Sequence, residues 1–96
     1  MNNFGKKVRE IRESKSLLLR QAAAFLEVDT AFLSNVELGK KKATRRQVDR
    51  LAEFFNLDKS ELIPLWLSDR IMDIIESEPH AKVSLEITAK ILESTR

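Results

Sequence analysis

At 96 residues the chain has room for one modest hydrophobic core and a single globular domain. Its 43% hydrophobic and 33% charged residues exclude a disordered or fibrous class, and with no cysteine it can form neither disulfides nor thiolate metal sites. No apolar run approaches the roughly 20 residues of a membrane span, and the opening MNNFGKKVRE lacks the apolar stretch of a signal peptide, so a soluble, cytoplasmic setting is expected.

Only two glycines and two prolines are present, which leaves few residues to build strand turns and favours an all-α fold. The net charge of +2 hides a segregation: residues 1–63 carry 13 Lys and Arg against 9 Asp and Glu, residues 64–96 carry 4 against 6. The densest basic patch is KKKATRRQVDR, Lys40 to Arg50. Such segregation points to one part that faces a polyanion and another with a separate task.

Taken in chain order, Phe4, Val8 and Ile11 recur at helical spacing behind Asn2 or Asn3 as cap, predicting a first helix to about Ser14. A second, alanine-rich helix runs from Leu19 to Leu26. Asp29 or Thr30 can cap a third, with Phe32, Leu33 and Val36 inward and Thr30, Ala31, Ser34, Asn35 and Leu38 outward. Gly39 follows where a left-handed terminator is wanted. Thr44 and Gln47 make a capping-box pattern that opens a fourth helix through Val48, Leu51, Ala52, Phe54 and Phe55. Asp58 and Glu61 repeat the signal for a short fifth helix, which Pro64 is expected to limit or kink.

Beyond Pro64, Leu67, Ile71, Ile74 and Ile75 form a helical stripe that Glu78-Pro79 ends. In the last segment Val83, Leu85, Ile87, Ala89 and Ile91 alternate with polar residues, a strand signature. On a helical wheel the segment shows two apolar faces, Ala81, Leu85, Ala89, Leu92 and Val83, Ile87, Ile91. A lone strand would leave its ladder unpaired unless another chain completed it. The helical reading is preferred, and it needs cover on both faces, one from its own chain and one from a second. The expected division is 1–63 as a compact, polyanion-facing unit and 64–96 as a helical dimerisation extension packed on it.

Two short helices joined by a tight turn, the second ending at glycine and lysines, outline a helix-turn-helix. Leu17 to Leu62 resembles the phage-repressor-like (Xre/Cro type) helix-turn-helix family of transcriptional regulators. The resemblance rests on Arg12 within Ile11-Arg12-Glu13, Ala23, Leu26 and Val28, Ser34, Glu37 and Gly39 with Lys40 behind, and the closing LAEFFNLDKSEL. It implies a five-helix DNA-binding domain whose third helix enters the major groove of double-stranded DNA.

On that resemblance Thr30, Ala31, Ser34 and Asn35 read bases. Asn35 suits adenine, the hydroxyls suit several base edges, and the Ala31 methyl suits thymine. Arg20, Gln21, Lys40, Lys41, Lys42, Thr44 and Arg45 fall where phosphate contacts are expected, and Arg12 with Glu37 where an ion pair braces the first helix against the third. A homodimer would join through Leu65, Trp66, Ile71, Ile74, Ile75, Leu85, Ile87 and Ile91. Two departures stand out. Leu18 and Leu19 occupy the positions where the family carries a polar cap and a glutamine, so the cap is expected to pass to Ser16 and the contact to Arg20 or Gln21. Glu27 stands where glycine is typical.

Other features have plainer readings. Arg46, Asp49, Arg50 and Glu53 read as solvent-side charges, and Trp66 as core or dimer packing. His80 has no second ligand at helical spacing. With no glycine-rich phosphate loop and no paired carboxylates in an apolar setting, neither an enzyme nor a cofactor or metal site is expected. The rival reading is a protein-interaction module of the same fold, using Leu18, Leu19 and the C-terminal helices.

Overall fold

The computed structural model describes residues 2–95, and all regular structure among them is helical. The α-helices are α1 (Asn3–Ser14), α2 (Leu19–Leu26), α3 (Thr30–Glu37), α4 (Arg45–Phe55), α5 (Ile63–Ile75) and α6 (Ala81–Ser94), with a 3₁₀ turn at Lys59–Glu61.

Each boundary has a local cause. Asn2 Oδ1 accepts from Gly5 N–H at 3.0 Å and starts α1, while Asp69 of α5 accepts from the Asn3 and Phe4 amides at 3.1 and 2.9 Å. Together they satisfy three of the four amides that a helix start leaves open. Asp29 caps α3 through Phe32 N–H at 2.6 Å. Thr44 and Gln47 exchange side-chain and backbone bonds at 3.2 and 2.9 Å, a complete capping box for α4. Gly39, at φ +80°, turns the chain out of α3. Glu27 and Asn56 adopt the same left-handed conformation after α2 and α4.

Three expectations are revised. Pro64 does not close a helix: it sits in the first turn of α5, where its missing N–H costs nothing and its fixed φ suits a start. The Asp58–Glu61 signal yields only the 3₁₀ turn, with Asp58 Oδ1 accepting from Ser60 N–H at 2.9 Å and its carboxyl thereby held below the usual range. Ser16 does not cap α2. It lies in the left-handed region at φ 55°, and the N-cap position falls on Leu18.

The core joins α1 to α5. Phe4, Val8, Leu33, Val36, Val48, Leu51, Phe55, Leu62 and Trp66 are buried, and each large apolar side chain so buried contributes about 1.5–3 kcal/mol. α5 packs on α1 and α4. Trp66 belongs to this chain's core rather than to a free surface, with its indole Nε1–H donating to the Ala43 carbonyl at 2.8 Å. α6 buries none of its residues. The cover that its own chain was expected to give one of its faces is missing.

Candidate nucleic-acid interface

The candidate reading surface is built on α3. Leu33 and Val36 are fully buried against the core, which fixes the helix about its axis. Thr30 and Ala31 are then exposed, Ser34 and Asn35 half-buried, and Leu38 exposed. Residues 31, 34, 35 and 38 recur at i, i+3, i+4 and i+7, so they share one face. Leu38 is 52% exposed and extends that face with an apolar end.

Three contacts hold α3 against α1. Arg12 Nε and Nη2 donate to the two Glu37 carboxylate oxygens at 2.8 and 3.1 Å, and Nη1 donates to the Leu17 carbonyl at 3.0 Å. One guanidinium thus ties the start of the α2 segment to the end of α3. The Glu37 bond holds the Arg12 pKa above its ordinary value, against the burial that would lower it. Asn2 Nδ2 donates to the Glu37 carbonyl at 2.8 Å. Gly5 makes the close approach possible, since a Cβ there would lie 2.5 Å from the Val36 oxygen and 2.6 Å from that of Glu37.

Beyond Gly39 the chain carries its cations in the open. The Lys40 and Lys41 amides both donate to the Asn35 carbonyl, at 2.8 and 3.2 Å, folding the loop back under the helix end. Both side chains are exposed, as are those of Lys42, Thr44 and Arg45. Lys42 differs from its neighbours in pairing with Asp73 of α5. The Thr44 oxygen accepts from Gln47 N–H, so its own proton stays available to an outside acceptor. Arg50 is held elsewhere, stacked 4.2 Å over the Phe25 ring and bonded to the Phe25 carbonyl at 3.2 Å.

At the other edge, Arg20 and Gln21 are exposed on the first turn of α2. The Gln21 oxygen accepts from the Leu18 amide at 2.7 Å, so half of this side chain serves the helix rather than an external partner. Leu18 has no acceptor to return and is 48% exposed. The first amides of α2 therefore lack a side-chain partner.

Of the residues expected at a dimer contact, Ile71, Ile74, Leu85, Ile87 and Ile91 are exposed, Leu65 and Ile75 half-buried, and Trp66 buried. Sequence reasoning missed Asp69, which caps α1, and the second role of Asn2, which ties α1 to α3. Asn2 was legible as a cap, but its bond to α3 was not. No group of His, Cys, Asp or Glu among the described residues could hold a metal ion, and no helix there is long and apolar enough to cross a membrane.

Comparison with curated proteins and with solved structures gives no significant match. A family model described as a helix-turn-helix domain matches residues 3–65, from the first residue of α1 into the first turn of α5. That span contains α2, the turn through Glu27 and α3, the elements just described as carrying and bracing the exposed face. The chain belongs to the helix-turn-helix domain family, an all-α DNA-binding fold.

Proposed function

We propose that the protein is a sequence-specific transcriptional regulator, a repressor or operon controller, that binds a two-fold symmetric operator as a homodimer. One observation carries this reading: the exposed face of α3 runs directly into the exposed cations Lys40, Lys41 and Arg45. Thr30, Ala31, Ser34 and Asn35 read base edges in the major groove. The loop cations, the Thr44 hydroxyl, Arg20 and the open amides of α2 meet phosphates on either side. Dimerisation through α6 and the outer face of α5 sets two such helices about one DNA turn apart, ~34 Å.

A second reading has its own support. Leu18 and Leu38 are exposed leucines bordering the same surface, and an apolar rim suits a protein partner better than a phosphate. On that reading the module keeps the fold and binds a protein.

Selection of bound sequences from random duplex DNA, followed by titration against salt, separates the two. A regulator yields an inverted repeat and a log K that falls by about 0.9 per phosphate contact against log[salt]. Failure to enrich any sequence, with no binding to duplex at low salt, would overturn the reading in favour of the protein-interaction module.

A further inference from the structure

Among the described residues α6 is the one α-helix that contributes nothing to the core, and its apolar side chains stand in the open. Val83, Ile87 and Ile91 are 57%, 55% and 55% exposed. The radius of gyration is 15.1 Å, against roughly 12.5 Å for a compact chain of this length. Fourteen residues of helix extend ~21 Å at 1.5 Å per residue, so the uncovered stripe is long enough to seat a partner helix.

The sequence of α6 specifies that partner. Val83, Ile87 and Ile91 are spaced by four, so Ile87 is the centre of a palindrome in which Val83 and Ile91 exchange places. Beside this stripe runs a second one, Lys82, Glu86, Lys90 and Glu93, alternating in sign and exposed along its length. If a second copy lies antiparallel with Ile87 on the two-fold axis, Glu86 falls about 3 Å along the axis from the partner's Lys90, within reach of both side chains. Lys82 and the partner's Glu93 fall at nearly the same level along the axis, farther out on the rim. In a parallel pair the stripe would instead face the partner's flank of Ser84 and Thr88 and find no opposite charge there.

We propose that α6 is an antiparallel self-recognition helix: it pairs with α6 of a second copy along Val83, Ile87 and Ile91, and the Lys82–Glu93 charge stripe fixes the direction. This rests on the dimer reading above and specifies its seam. A contact of this kind is isologous, closing at two copies, as a two-fold operator requires. The alternating charges also act against other apolar helices, which would leave them unpaired at the rim.

Because the native chain has no cysteine, single-cysteine variants report the seam directly. Ile87→Cys on the axis should form a disulfide-linked dimer under mild oxidation. Val83→Cys and Ile91→Cys should each cross-link poorly alone and efficiently when mixed. In parallel, sedimentation without DNA should show that E86K and K90E each weaken the dimer at least tenfold. An equimolar mixture of the two should associate almost as well as the native chain, because each variant then supplies the charge that the other lacks. A native dimer in which Ile87→Cys does not cross-link and the charge variants are neutral would overturn the antiparallel seam and leave the dimer reading intact. A native chain that stays monomeric at all concentrations would overturn both.

Discussion

Arg12 and Glu37 lie 25 positions apart on α1 and α3 and meet through two parallel hydrogen bonds of 2.8 and 3.1 Å. Their side chains are only 13% and 5% exposed. A paired guanidinium and carboxylate in such a place add modestly to stability, yet removing one strands the other. Glu37→Ala should therefore cost about 3–5 kcal/mol in urea unfolding. Arg12→Lys should recover little of the effect of Arg12→Ala, because an ammonium cannot make the two-pronged contact and also reach the Leu17 carbonyl. Equal stability of the lysine variant and the native protein would show that charge alone suffices.

Gly5 yields a prediction of opposite sign to helix propensity. In an exposed helix interior, alanine gains about 1 kcal/mol over glycine. Here an alanine Cβ would meet the backbone oxygens of Val36 and Glu37, which cannot rotate away, and the capping Asn2 oxygen at 2.5 Å. Gly5→Ala should lower stability by about 1–3 kcal/mol, the range for overpacking. Chemical shifts at α3 amides should move with it, since α1 must lift off α3.

Much of this arrangement is legible in the sequence where the cause is local. Asp29, Thr44 with Gln47, and Gly39 act within a turn of themselves, and all four stand in the structure as the sequence implies. The parts that escape are those where distant residues meet. Asp69 caps α1 across 66 positions, and nothing in its neighbourhood separates it from any aspartate on a helix face. Pro64 is ambiguous because proline suits both the end of one helix and the first turn of the next, and only the packing of Trp66 decides. The candidate base-reading face was readable from Leu33 and Val36, whose burial turns the rest of α3 outward. The diversion of Gln21 to the Leu18 amide was not, because the same exposed amide could equally serve DNA.

Glu27 is left-handed at φ 59°, a conformation that costs a residue with a Cβ about 1–2 kcal/mol. Glycine relieves that cost but gains chain entropy in the unfolded state. Glu27→Gly should raise stability by about 0.5–1 kcal/mol net, and Glu27→Val, β-branched and intolerant of positive φ, should lower it. Thermal unfolding of the three proteins at one pH checks the order. A glycine variant no more stable than the native chain would mean that Glu27 makes a compensating contact from its exposed position.

The lysines after α3 should not contribute equally to DNA binding. Lys40 and Arg45 are exposed, and replacing either by alanine should reduce the slope of log K against log[salt] by about 0.9. Lys42 is already paired with Asp73, both side chains being substantially exposed at 67% and 43%. An exposed pair of this kind holds by about 0.2–1 kcal/mol, so it competes with a phosphate without preventing the contact. Lys42→Ala should accordingly weaken binding less than Lys40→Ala. Asp73→Asn should strengthen binding severalfold and steepen the salt slope, because it releases Lys42 to a phosphate. Its effect should vanish in a Lys42→Ala background. If Asp73→Asn acts equally with and without Lys42, the aspartate works through its charge near DNA and the ion pair has no part in it.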